Sequence, residues 1–154
     1  MSPLRALSTA AVLAVLTLGG PAMAAGSSST TTEESGAFAD GKAAVASQNW
    51  SEAIAQFTVA TQESPDDADA WNMLAYSQRM SGDIEGAFAN YQTALAIDPD
   101  HKDANEYIGE AYLQIGDVAG AQKHLARLDE ICWLGCEQKD ELAAAIEAWQ
   151  AANN

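Results

Sequence analysis

A spacing of 34 residues recurs along this chain, and it constrains the fold more than any other feature. Two kinds of residue recur at that interval, small ones and large apolar ones: Gly41, Ala75 and Gly109; Ala53, Ala87 and Ala121; Phe57, Tyr91 and Leu125. Small residues suit positions where two helices approach closely, and large apolar ones suit positions that a neighbouring unit covers. The pattern therefore predicts one helix-turn-helix unit that is used three times.

Turn and capping residues divide the chain into helices. Asn49, Asp83 and Asp117 each precede a helical stretch, where their side chains can accept a hydrogen bond from a free backbone N–H. Gly82 and Gly116 follow helices, where a left-handed conformation is favoured. The sequence predicts three helix pairs and a last helix: 36–47 with 50–63, 67–81 with 84–97, 101–115 with 118–131, and 137–151.

The last predicted helix has an apolar face. Leu142, Ala145, Ile146 and Trp149 share that face at helical spacing. A repeat array leaves an apolar end that must be covered. We therefore interpret this helix as a cap on the third unit.

The repeated pattern resembles the tetratricopeptide repeat family, whose motif has Trp, Leu, Gly and Tyr on the first helix, then Ala, an aromatic residue, Ala and Pro. The middle unit matches at seven positions: Trp71, Leu74, Ala75, Ala87, Tyr91, Ala94 and Pro99. The third unit keeps Ile108, Gly109, Tyr112 and Ala121, and the first keeps Gly41, Ala53, Phe57, Ala60 and Pro65. The first unit departs from the motif, since Ala37 and Asp40 stand at the Trp and Leu positions.

The resemblance covers residues 36–135 and implies an all-α fold. It implies three tetratricopeptide units, at 34–67, 68–101 and 102–135, that form a short right-handed α-solenoid. With the capping helix at 137–151, the repeat domain is expected to span 36–152.

The first 35 residues are predicted to lie outside this domain. Arg5, an apolar run over 6–20 and Ala22-Met23-Ala24 are typical of a secretory signal peptide, 1–24, cut after Ala24. A membrane anchor is the alternative, but the run is shorter than the ~20 residues a spanning helix needs. Residues 25–35 are rich in Ser and Thr and are predicted to be a flexible tether. We therefore expect a periplasmic or secreted protein.

The expected mature chain is strongly acidic. Without Arg5 it has six basic and twenty-two acidic residues, a net charge of −16. This balance argues against binding to nucleic acid or to an anionic membrane, because both need a basic surface. The acids are interpreted either as solvated helix faces or as a surface that attracts a basic partner.

Cys132 and Cys136 are the only cysteines. In an exported protein a disulfide is the first expectation, and Gly135 can break the helix between them. The family resemblance extends to exported bacterial proteins with a cysteine pair before their final helix. We interpret the pair as a clamp on the capping helix, and a thiol-redox or metal-handling role is the alternative. Redox pairs usually have two intervening residues, and His101 and His124 are the only histidines that could complete a zinc site.

No catalytic motif is present: the sequence has no glycine-rich phosphate loop, no HExxH and no nucleophile elbow. We therefore predict no enzyme and no cofactor. His101 falls in a predicted loop, and His124 is expected to face solvent. The acids at 98, 100 and 103 lack the spacing of a calcium loop and are interpreted as helix caps.

The family resemblance places a partner-binding groove on the concave face, lined by the first helix of each pair. The implied groove residues are Phe38, Lys42, Val45, Asn72, Tyr76, Arg79, Glu106, Glu110 and Leu113. Ordinary solvated helix surface is the alternative for each of them. They match the family's carboxylate-clamp version poorly, so binding of chaperone C-termini is not predicted. We predict a non-catalytic protein-interaction module, an exported adaptor or assembly factor that binds another protein or a peptide segment.

Overall fold

A computed structural model describes residues 36–153, and the predicted signal peptide and tether lie outside this part of the chain. The described residues form seven helices and no strand: α1 Gly36–Ala46, α2 Trp50–Glu63, α3 Ala68–Ser81, α4 Ile84–Ile97, α5 Lys102–Gln114, α6 Val118–Ile131 and α7 Glu137–Asn153. The all-α prediction is confirmed, and the helix ends agree with the sequence to within two residues. Within 36–153, no helix has the length and apolarity needed to cross a bilayer.

The turn inside each unit is built as the sequence predicts. Asn49, Asp83 and Asp117 accept hydrogen bonds from the backbone N–H three residues on, at 3.4, 3.0 and 2.9 Å. Gly82 has φ +96° and Gly116 has φ +80°, both in the left-handed region that glycine tolerates. The first unit makes the same turn without a glycine, since Gln48 holds φ +56°.

The core of the described residues is divided along the chain into three clusters, two of which join residues of neighbouring units. Ala53, Ala87 and Ala121 are fully buried, so small residues do stand at the close approach of paired helices. A methyl group added at Gly41 would lie 2.7 Å from the Phe57 ring, which explains the small residue there. Tyr91 fills the equivalent place in the middle unit.

Helix α7 covers the end of the third unit, as predicted. Leu142 and Ile146 are buried in one cluster with Leu113 and Leu128, and Trp149 packs against its edge. Helix α7 contacts both α5 and α6. A disulfide joins Cys132 to Cys136 with Cα atoms 5.6 Å apart, directly before α7.

Candidate functional site

Three aromatic rings form a row across neighbouring units. Trp50, at the start of α2, meets Tyr76 of α3 edge to face, with centroids 6.1 Å apart. Tyr76 in turn packs at 5.0 Å against Tyr107 of α5. All three residues are half-buried, so each ring offers part of its surface to solvent. We call Trp50, Tyr76 and Tyr107 the aromatic row.

The side chain of Arg79 packs against two of the three rings of this row. Its guanidinium lies 5.5 Å from the Tyr76 ring centre and 5.9 Å from that of Tyr107, within range of a cation–π contact. It also donates a 2.7 Å hydrogen bond to Glu110, which ties α3 to α5. Burial alone would lower the pKa of Arg79, but attraction to Tyr91 and Glu110 outweighs it and raises that pKa. Arg79 is therefore a buried, paired cation that fixes the spacing of two first helices.

Three side-chain polar atoms of α3 and α4 are buried without a hydrogen-bond partner among the described residues. They are the Asn72 Oδ1, the Arg79 Nε and the Tyr91 hydroxyl oxygen. Burial raises the pKa of Tyr91, against an opposing effect of the Arg79 guanidinium. Burial also raises the pKa of Tyr107 to about 12, so both phenols are neutral at physiological pH. The row therefore packs on the buried Arg79 cation, which has the neutral Tyr91 phenol beside it.

Phe38 and Leu113, predicted to line the groove, are core residues instead. Phe38 packs edge to face on Phe57, 5.5 Å away, because Ala37 leaves this unit without the usual large side chain. Leu113 is buried in the cluster that α7 covers. Lys42 remains exposed, and its ammonium lies 5.2 Å from the centre of the Phe38 ring.

Glu106 lies in the contact between α5 and α7, where it is 4% exposed. Burial raises its pKa to about 8, and a hydrogen bond and charge repulsion from Glu141 of α7 act in the same direction. Its neighbour Asp103 accepts a 2.8 Å hydrogen bond from Gln138 of α7. The capping helix therefore occupies the part of α5 that was predicted to be open groove.

The structure thus brings together only part of the predicted groove. Tyr76 and Glu110 are half-buried beside the row, Lys42 is exposed, and Asn72 and Arg79 lie beneath the surface. Trp50 and Tyr107 were missed by the sequence reasoning. Their one signal in the sequence is that they are large aromatics outside the repeated core positions.

The prediction that His124 faces solvent is wrong. Its ring stacks on Tyr112 with centroids 5.7 Å apart, and its Nδ1 lies 3.0 Å from the Asn105 Oδ1. Asn105 stands 34 residues after Trp71, so a small amide at this position leaves room for the imidazole. Burial, with a smaller effect of Lys123, lowers the pKa of His124 to about 4, so the ring is neutral at pH 7.

His101 has a structural role in the turn before α5. Its Nδ1 accepts the Ala104 N–H at 3.2 Å, which caps the helix. Its Nε2 lies 2.9 Å from the Asp69 carboxylate of α3. Within residues 36–153, no group of three or more His, Cys, Asp or Glu side chains is placed to hold a metal ion.

The described chain is similar to known repeat domains. Two family models described as tetratricopeptide repeat match residues 38–101 and 78–131. The Sgt2 TPR domain from Aspergillus fumigatus has a TM-score of 0.70 at 24% identity, covering 79% of this chain and 80% of that one. Comparison with curated proteins found no match.

Two further similar structures contain bound partners. The TPR2B domain of yeast Sti1, in a complex with pHsp70, has a TM-score of 0.68 at 18% identity and covers 75% of this chain and 94% of that one. PcrH, in complex with the chaperone binding region of PopD, has a TM-score of 0.67 at 20% identity, and the match covers 77% of this chain and 91% of that one. At these identities the likeness establishes the fold, and partner choice depends on the residues of each site.

Proposed function

Because this chain belongs to the tetratricopeptide repeat family, we propose that it is a non-catalytic adaptor or assembly factor that binds a segment of another protein. The aromatic row is the observation that carries this proposal. Partly exposed aromatic rings on a rigid support are the side chains that contribute most to protein recognition. The Arg79–Glu110 pair holds Tyr76 and Tyr107 in place before a partner arrives, which lowers the entropic cost of binding.

The similar structures support a segment as the partner. The Sti1 domain is in a complex with pHsp70, and PcrH with the chaperone binding region of PopD. The charges beside the row indicate which kind of segment fits it. Glu110 beside the row is 31% exposed, whereas Arg79, the cation that contacts the row, is buried and paired. A segment with apolar side chains and Lys or Arg therefore fits this face better than an acidic one.

An array of random seven-residue peptides tests the proposal without knowledge of the natural partner. We expect the bound peptides to combine Lys or Arg with aromatic, aliphatic or proline residues. Tyr76→Ala should weaken their binding by on the order of 1–2 kcal/mol, roughly tenfold, and leave the helical circular dichroism unchanged. Val59→Ala, a matched change on the exposed surface of α2, should bind as the parent does.

Arg79→Glu is unsuitable as a test of surface charge, because it would place two acids together in a buried pair with Glu110. Lys42 is exposed, so Lys42→Glu is the variant that changes surface charge without placing an acid in a buried pair. If Tyr76→Ala binds the selected peptides as tightly as the parent, the aromatic row is not the binding site. If no peptide binds, the segment-binding proposal itself fails.

We also propose that the protein acts after export, on the evidence of Arg5, the apolar run and Ala22-Met23-Ala24. N-terminal sequencing of the protein from the exported fraction should begin at Ala25. A protein that retains Met1 in that fraction would contradict cleavage.

The proposed role of the disulfide is structural. Cys132 is 4% exposed and lies in the core cluster with Leu142 and Ile146, so its sulfur is shielded from thiol reagents. A redox role would require a reactive, accessible thiol after reduction. We expect the bond to resist mild reductant in the folded protein and to become reducible in denaturant. A pair that titrates readily with a thiol reagent after mild reduction would favour the redox alternative.

A further inference from the structure

The turn between α6 and α7 presents two large apolar side chains to solvent. Trp133 is 81% exposed and Leu134 is 80% exposed, and both lie inside the loop that the Cys132–Cys136 disulfide closes. The Gly135 N–H donates a 2.7 Å hydrogen bond to the Cys132 carbonyl, and Gly135 has φ +91°. The loop is therefore a tight turn with a fixed backbone.

Within residues 36–153, Trp133 and Leu134 belong to none of the core clusters. Cys132 and Cys136 link the turn to the core, whereas Trp133 and Leu134 project from it. Single exposed apolar residues are ordinary on protein surfaces, but an adjacent Trp and Leu on a cross-linked turn form a preorganised apolar contact. Exposed Trp residues are frequent among the side chains that dominate binding energy.

The charges around the turn indicate the kind of partner. The cations that flank the turn in the sequence are paired, Arg127 with Glu130 at 2.6 Å and Lys139 with Asp129 at 2.5 Å. Glu137 and Asp140 add two further exposed acids at the start of α7. The surroundings of the turn are therefore net negative. A negative rim opposes anionic lipid and a second copy of this acidic chain, and it complements a basic protein surface.

We propose that the Trp133–Leu134 turn is a second docking element, which enters an apolar pocket rimmed by Lys or Arg on a partner protein. Trp133 and Leu134 supply the buried apolar contact. Glu137 and Asp140, the exposed acids at the start of α7, face the basic rim and guide the approach of the partner. This proposal is independent of the aromatic row, because it uses different residues on different helices.

The first step of the test is a photocrosslink from the full-length protein in its own cell. A benzoylphenylalanine replaces Leu134, and in a control protein it replaces Ile115, an apolar residue 56% exposed at the end of α5. We expect one protein to crosslink at 134 and not at 115, at a site flanked by Lys or Arg. Equal crosslinking from both positions would overturn the proposal.

The second step measures binding of the captured protein after its purification. Trp133→Ser should weaken its affinity at least tenfold, and Ile115→Ser should leave it unchanged. Raising the salt from 50 to 500 mM should slow association with the parent protein, because the acids and the basic rim are then screened. If the captured protein binds the Trp133→Ser variant as tightly as the parent, the turn is not its docking element.

Two other occupants of the turn are tested directly. A dimer in sedimentation equilibrium that the Trp133→Ser change abolishes would assign the turn to a second copy and overturn the proposal. Co-sedimentation with zwitterionic phosphatidylcholine vesicles that depends on Trp133 would assign the turn to a membrane surface, with the same consequence. The parent protein is expected to be monomeric and to remain in the supernatant in these two measurements.

Discussion

The contact between Gly109 and Leu142 gives the sharpest test of how the capping helix is held. A methyl group built on Gly109 would lie 2.6 Å from one Leu142 terminal carbon and 2.8 Å from the other. Leu142 is fully buried, so it has little free space in which to move. Gly109→Ala is therefore expected to push α7 away from α5.

Two opposing effects set the size of the change. Alanine favours the helix over glycine by about 1 kcal/mol, while extra volume in a packed contact costs about 1–3 kcal/mol. The net destabilisation of Gly109→Ala is thus about 0–2 kcal/mol. Leu142→Ala alone should cost about 2–5 kcal/mol. In the double variant the new methyl occupies part of the vacated space, so the loss should be smaller than the sum by about 1–3 kcal/mol.

Urea denaturation followed by circular dichroism at 222 nm measures these free energies of unfolding. Gly36→Ala serves as the control, because a methyl group there would have no neighbour within 4 Å, and its effect should add to that of Leu142→Ala within about 0.5 kcal/mol. Hydrogen exchange should show that Gly109→Ala lowers protection in α7 more than in α3. Additive losses for Gly109→Ala and Leu142→Ala would refute the close contact as the reason for the glycine.

Three further predictions concern single positions. Gln48→Gly should raise the free energy of unfolding by about 0.5–1 kcal/mol and with it the melting temperature, because glycine accepts φ +56° without strain. An unchanged melting temperature would contradict the turn geometry. Ala87→Leu should cost roughly 1–3 kcal/mol in the packed middle unit, whereas Ala89→Leu, on the exposed side of α4, should stay within about 0.5 kcal/mol; equal melting temperatures would be inconsistent with this register. Because burial raises the pKa of Glu106 from 4.5 to about 8, the folded state holds more protons between these values and the free energy of unfolding falls as pH rises through them. Glu106→Gln should therefore be more stable than the parent at pH 8, by on the order of a few kcal/mol, and similar to it at pH 4.5; an equal difference at both pH values in urea denaturation would rule out the buried acid as the cause.

The helices could be predicted from the sequence because their signals are local and repeated. Asn49, Asp83 and Asp117 cap helices within three residues of themselves, and Gly82 and Gly116 need only their own backbone angles. The 34-residue spacing then adds tertiary information, since the same small residues recur wherever paired helices meet. Helix existence, order and pairing all follow from these patterns.

The surface of the first helices could not be predicted equally well, because it depends on contacts between units. Phe38 is core because Ala37 and Asp40 leave its unit short of large apolar side chains, which a repeat template does not take into account. Arg79 looks like a groove cation in the sequence, and only the placement of α3 against α5 pairs it with Glu110. Glu106 and Leu113 are buried because α7 covers them, so their burial depends on a helix outside the repeats.

The small size of the aromatic row has a consequence for how the protein would bind. The ring centres are 6.1 and 5.0 Å apart, so the row extends over at most about 11 Å. An extended segment advances about 3.3 Å per residue, and the row therefore contacts only about three or four residues. So short a contact gives modest affinity on its own, since association must first offset the loss of rotational and translational freedom. A partner long enough to reach the Trp133–Leu134 turn at the same time would bind more tightly without new contacts at either site, because the second contact becomes intramolecular once the first has formed.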